Sequence, residues 1–172
     1  MKIKILLTLS VLLTQTTFAI DSEKIGDILL LAIPSTVYGT TLYLDDDEGQ
    51  NQFHKSFATN AAITYGLKYS VNRTRPNGEK HSFPSGHTSA TFQSAAFVHK
   101  RYGLDYSIPA YLGAIFVGYS RIKADEHHNS NVLAGAVIGT LSSFYFTTNY
   151  KQLEIKPIAM NSGYGIGISS RW

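Results

Sequence analysis

Ser120 to Gly135 reads SRIKADEHHNSNVLAG. A polar hinge here joins two apolar stretches that read as helices, Ser107–Tyr119 with Pro109 near its start, and Asn131–Phe146 with glycines at 135 and 139. The four-residue spacing of those glycines makes a small-xxx-small surface on which another helix can approach closely. Working outward, Pro84–Tyr102 reads as a helix that Ser82 or Ser85 caps and Gly103 stops. Lys55–Tyr69 has Phe57, Ala61, Ile63 and Leu67 roughly on one side and delivers Lys68 at its end. Pro76-Asn77-Gly78 then makes a turn. Ile25–Leu44 is apolar with Pro34 and Gly39 inside it, so a kinked helix or two short ones are expected. Asp45–Glu48 reads as a solvated acidic loop, without the spacing of a calcium loop. The fold class is therefore all-α.

The two ends differ from this body. Met1–Lys4 is basic, Ile5–Leu13 is apolar, and Thr17-Phe18-Ala19 is a small-x-small site, which together read as an export signal over 1–19. An uncleaved anchor helix is the alternative, and the shortness of the apolar run disfavours it. At the other end, Lys156–Met160 and Tyr164–Ser169 flank Asn161-Ser162-Gly163 as a β-hairpin. The expected organisation is a signal at 1–19, a helical domain at 20–150 and a hairpin extension at 151–172.

Composition narrows the class. With 172 residues the chain can bury a real core, and its charged fraction of 16% is low. Losing Lys2 and Lys4 with the signal leaves 13 basic and 12 acidic residues, a net charge of +1, so the basic pI argues for no nucleic-acid partner. There are no cysteines and hence no disulfide or thiolate metal site. Residues 28–44 and 130–150 form charge-free runs of 17 and 21 residues. Both are rich in Ser, Thr, Tyr and Asn, and Ser107–Tyr119 is short for about 30 Å of hydrocarbon. These lengths favour a compact periplasmic bundle associated with a membrane over a spanning one.

Three blocks carry chemistry: Lys68–Pro76 (KYSVNRTRP), Pro84–His87 (PSGH) and Ser120–Asn131. They supply three cations, two histidines and a hydroxyl-glycine turn, the groups that hold phosphoryl oxygens while a nucleophile and a proton donor act on opposite faces. A second reading of Asp125, Glu126, His127 and His128 is a metal-ligand cluster or a solvated loop.

The three blocks, in this order, resemble the type 2 phosphatidic acid phosphatase and vanadium haloperoxidase superfamily. The pattern K-x6-R-P is met by Lys68 and Arg75-Pro76, P-S-G-H by Pro84–His87, and S-R-x5-H by Ser120-Arg121 and His127. The resemblance covers roughly 55–147 and implies a helical bundle of that type, with the β-hairpin outside it. It implies a metal-independent phosphatase acting through a phosphohistidine on a phosphomonoester or pyrophosphate, soluble or lipid-linked. No cofactor is implied, and vanadate enters as a mimic or inhibitor. His127 is then the nucleophile and His87 the general acid. Lys68, Arg75 and Arg121, with the Ser85 hydroxyl and Gly86 N–H at a helix start, bind the phosphoryl group. Arg73, Lys80, His81 and His128 flank the site as loop positions or head-group contacts.

One position departs. The pattern ends in Asp, and this chain has Asn131. An asparagine can orient the His127 ring through its carbonyl oxygen but supplies no charge, and in serine-protease triads that exchange costs on the order of 10⁴ in rate. A weakly active or purely phosphate-binding protein therefore stays open beside the phosphatase, as does a vanadate-dependent haloperoxidase, for which the chain is short.

Overall fold

The computed structural model describes residues 21–150, together with the backbone of 152–160 and 163–171. The export-signal reading of 1–19 lies outside the described residues, as do Asn161 and Ser162 of the expected turn. Five helices form the body: α1 Ser22–Tyr43, α2 Asp47–Val71, α3 Gly86–Tyr102, α4 Leu104–Lys123 and α5 Asn129–Phe146. Two strands follow, β1 Gln152–Met160 and β2 Gly163–Arg171, antiparallel and in register from Gln152↔Arg171 to Met160↔Gly163. The expected all-α bundle with a hairpin is present.

Local chemistry sets the ends. Asp21 and Asp46 accept from the Glu23 and Gly49 amides as N-caps of α1 and α2, and Ser85 caps α3. Gly103 stops α3 at φ 111°, a conformation that favours glycine. Pro34 lies inside one continuous α1 rather than between two helices. Of the expected solvated loop Asp45–Glu48, Asp45 and Asp46 do form the turn between α1 and α2, while Asp47 and Glu48 already belong to α2. Asp46 is buried and pairs with Arg101, whose Nε donates to Asp46 Oδ2 at 2.8 Å. Tyr102 donates to the same oxygen at 2.8 Å, and Arg101 also reaches the Thr148 carbonyl at 3.1 Å. This cluster ties the α1–α2 turn, the end of α3 and the chain beyond α5 at one end of the bundle. α4 likewise extends beyond the apolar run Ser107–Tyr119 into charged residues at both ends and runs 20 residues.

α3 runs through the middle, packed by the other four helices. Its partner α5 approaches almost backbone to backbone, since a Cβ on Gly139 would lie 2.2 Å from the Ser89 carbonyl oxygen. The close-approach reading of the Gly135 and Gly139 spacing is thus realised within the chain. Among the described residues the interior is unusually polar, with seven buried apolar residues against twenty-one polar or charged ones. The small apolar core centres on Val37, Phe53 and Phe97, with the two phenyl rings edge-on at 5.2 Å. Large apolar side chains point outward: Ile108, Leu112, Ile115 and Tyr119 on α4, and Leu133, Val137, Leu141 and Phe144 on α5. Leu31 on α1 is 71% exposed and Leu133 67%. Charge-free stretches 28–44, 88–98, 106–120 and 132–146 make a belt between two charged ends. At 1.5 Å per residue the 17-residue stretch is about 26 Å long, close to a hydrocarbon core. Among the described helices, α1 passes the length and hydropathy test for crossing a membrane.

Gly139→Ala is expected to destabilise the fold by about 1–3 kcal/mol through the clash with α3. Gly39→Ala, where a Cβ meets nothing within 4 Å, should not. Thermal unfolding of the two variants in detergent checks this, and equal midpoints would contradict the backbone contact.

Candidate active site

All three blocks converge at the end of the bundle opposite the Asp46–Arg101 cluster. α2 ends there with Lys68, α3 begins with Gly86 and His87, α4 ends with Arg121, and the 124–128 loop presents His127. They surround a cavity of about 690 Å³ with Lys68, Arg75, Gly86, His87, Arg121 and His127 at its polar end. Leu30, Leu31 and Pro34 of α1 and Phe57, Ala61 and Tyr65 of α2 form an apolar wall of the same cavity. A larger groove of about 1050 Å³ between α1 and α4 contains none of these polar groups.

His127 is buried, 4% exposed. Its Nδ1 lies 2.7 Å from the Ser82 carbonyl oxygen. A carbonyl only accepts, so Nδ1 carries the proton and Nε2 keeps its lone pair. Burial, and then the nearby Lys68 charge, push the His127 pKa down to about 4. The ring is therefore neutral near pH 7 with a free nitrogen, the state a nucleophile needs. The loop is held by the Glu126 and His127 amides, which both donate to the Arg121 carbonyl, at 3.0 and 3.2 Å.

Asn131 is fully buried but makes no hydrogen bond to the His127 ring. Its Oδ1 accepts from Arg73 Nη1 at 3.1 Å, and its Nδ2 donates to Ser82 Oγ at 2.6 Å. Arginine can only donate, which fixes the amide this way round. The expected direct partnership of Asn131 with His127 is replaced by an indirect one: Asn131 and Arg73 brace Ser82, and the Ser82 carbonyl orients the ring. Sequence reading missed Ser82 in this role because a main-chain carbonyl leaves no residue signature. Arg73, read as a flanking loop charge, is part of the same brace.

His87 is partly exposed, with Nε2 3.0 Å from Asp27 Oδ1 on α1. Burial and then Arg121 hold its pKa below the ordinary imidazole range, and Asp27 opposes them. Arg121 is buried and bonded to the Glu23 carbonyl at 2.7 Å and to Asp27 at 3.0 Å. Arg75 pairs with Glu126 and, at 3.1 Å, with Glu79, while its buried Nε has no protein partner. Lys68 Nζ donates to the His81 carbonyl at 2.8 Å. Ser85 does not join the cavity wall. It is fully buried, and its Oγ accepts from Thr88 Oγ1 at 2.9 Å, so it shapes the start of α3 while Gly86 faces the cavity.

The metal-cluster reading of 125–128 is not met. Glu126 is taken by Arg75 and Asn77, His127 by Ser82, and His128 lies 3.2 Å from the Thr74 carbonyl. What stands instead is a cationic pocket with two histidines of opposite character: one neutral, with a free nitrogen, and one beside a carboxylate. Paired groups with such divergent surroundings are the mark of an acid–base division of labour.

Residues 77–154 match the family model described as the PAP2 superfamily. A lipid A 4'-phosphatase of Helicobacter pylori is 29% identical over 169 residues, covering 87% of this chain and 85% of that protein. A lipid A 1-phosphatase of Porphyromonas gingivalis is 45% identical over 78 residues, 43% of this chain but 18% of that protein. The crystal structure of Aquifex aeolicus LpxE has the same fold, with a TM-score of 0.56 at 23% identity, over 69% of this chain and 83% of that one.

The His127 ring is expected to stay neutral as pH falls from 7 and to take up a proton near pH 4. NMR of ring-labelled histidine, assigned with His127→Gln, follows this directly. A midpoint near the ordinary histidine value would contradict the buried, carbonyl-oriented ring.

Proposed function

We propose that this chain, which matches the PAP2 superfamily model over residues 77–154, is a metal-independent phosphatase that cleaves the phosphate from a membrane lipid through a phosphohistidine at His127. The observation that carries this reading is the cavity itself, which joins a cationic end to an apolar wall. A phosphoryl group fits the first and the adjoining chain of a lipid the second. Leu30, Leu31 and Pro34 of the cavity wall belong to the charge-free belt, which suits a bilayer lipid whose head group reaches the cationic end. The outward apolar faces of α4 and α5 support seating that belt in the membrane. The names of the relatives make a phosphate of lipid A the first substrate to test. The basic-apolar-small amino terminus supports a periplasmic site.

The steps follow from the groups present. Lys68, Arg75, Arg121 and the Gly86 N–H at the start of α3 hold the non-bridging oxygens. His127 Nε2 attacks phosphorus, and the bond from phosphorus to the leaving oxygen breaks. His87 gives its proton to that oxygen. Water then attacks the phosphorus, His87 takes the water's proton, and the P–N bond breaks to return the pair to His127. The Ser82 carbonyl stays on Nδ1–H throughout and faces the positive charge that builds on the ring.

Phosphate release from lipid A and from phosphatidate, in detergent with a chelator present, tests the reading. Wild type should turn over at least one, and His127→Ala should lose on the order of 10³-fold or more. Asn131→Asp should change the rate by less than about tenfold, because a carbonyl already orients the ring. No release from any phosphoester by folded protein, or full activity in His127→Ala, would overturn it.

A further inference from the structure

We propose that Asp27 is a positioning residue for the general acid: its Oδ1 holds the proton of His87 Nε2 and rests where a phosphoryl oxygen of the substrate will sit. The inference builds on the phosphatase reading of the same site, and no motif block contains Asp27.

The geometry is specific. One oxygen, Asp27 Oδ1, is 3.0 Å from His87 Nε2 and 3.0 Å from Arg121 Nη1. These donors come from two different helices, and both are assigned to the reacting phosphate. A single anionic oxygen accepting from both stands on the edge of the phosphoryl group, between the non-bridging oxygen that Arg121 holds and the leaving oxygen that His87 protonates. Arg121 is buried and also held by the Glu23 carbonyl, so it cannot follow Asp27 if the carboxylate moves. Asp27 itself is half-exposed and can swing away. Gly26 permits the approach of α1, since a Cβ there would lie 2.2 Å from Ser120 Oγ and 2.8 Å from Arg121 Nη2.

The charge around His87 explains why such a group is needed. Arg121 on α4, Lys68 on α2, Arg75 on the 72–85 segment and His127 on the 124–128 loop crowd the site with cations or neutral rings. On the acidic side, Glu126 is committed to Arg75, and Glu23 lies 3.9 Å from Arg121. Among the described residues, Asp27 is the carboxylate in contact with His87. Its charge favours the imidazolium against burial and Arg121 until the phosphoryl group arrives with its own negative charge. The phosphate then displaces the carboxylate, and the Nε2 proton passes to the leaving oxygen as that bond to phosphorus breaks. In the second half-reaction the same nitrogen recovers a proton from water, and Asp27 returns once phosphate leaves.

Asp27→Asn separates this from a mere helix contact. The alkaline limb of kcat/KM should move to lower pH by about one unit, because the group stabilising the imidazolium is gone. The Kd of inorganic phosphate or vanadate, read by calorimetry at pH 7, should fall about fivefold or more, because the anion no longer competes with a carboxylate. Asp27→Glu should restore both towards wild type. A purely structural Asp27 would lower the melting temperature and leave the phosphate Kd and the alkaline limb where they were, and that result overturns the proposal. Anion binding needs no turnover, so the Kd change decides the role of Asp27 even if no lipid phosphate is cleaved.

Discussion

A single buried hydrogen bond, from His127 Nδ1–H to the Ser82 carbonyl at 2.7 Å, organises the site. It fixes the tautomer, and so decides which ring nitrogen is free. It can form only if the segment before α3 and the hinge after α4 meet at one height. The hinge is set by two amides donating to the Arg121 carbonyl. The pre-helix segment is set by the Ser82 amide donating to the Arg73 carbonyl at 2.7 Å and by Asn131 grasping Ser82 Oγ. The Ser85 amide donates in turn to the Asn131 carbonyl at 3.0 Å, which locks the start of α3 against α5. The Asn131 side chain, uncharged, suits this bracing position: it offers one donor to Ser82 and one acceptor to Arg73.

The fold supplies the setting for that bond by placing polarity inside. Gly135 and Gly139 let α5 approach α3 almost to backbone contact, and Ser143 Oγ donates to the Gln93 carbonyl across the same seam. Large apolar side chains are left on the outer faces of α1, α4 and α5. A bundle built this way is stabilised by close packing and internal hydrogen bonds and gains little by turning its surface to water. Its charge collects at two ends. One end is a structural clamp around Asp46 and Arg101, and the other is the cationic pocket around His87 and His127.

Much of this was legible in the residues. Side chains that carry charge or a titratable ring announce themselves by type and spacing, and Lys68, Arg75, His87, Arg121 and His127 do meet in one cavity. The helices were legible from apolar runs and from Ser85 and Gly103 at the α3 ends. What was not legible depends on the main chain or on contacts distant in sequence. The Ser82 carbonyl has no residue code. Ser85 has the right type for a phosphate ligand but turns inward as a cap. Asp27 sits 60 residues before His87. Asp46 reads as a loop residue because its partner Arg101 lies 55 residues away. Asn131 reads in the sequence as a missing charge on the nucleophile because spacing cannot distinguish a direct partner from one that acts through a third residue.

The position of the phosphoryl group on the trapped intermediate tests the account most directly. Alkaline quench during turnover, with peptide mapping and phosphorus NMR kept at alkaline pH, distinguishes the two ring isomers. With Nδ1 held by Ser82, phosphorus must attach to Nε2 of His127. Phosphate on Nδ1, on His87, or on no histidine while turnover proceeds would contradict it.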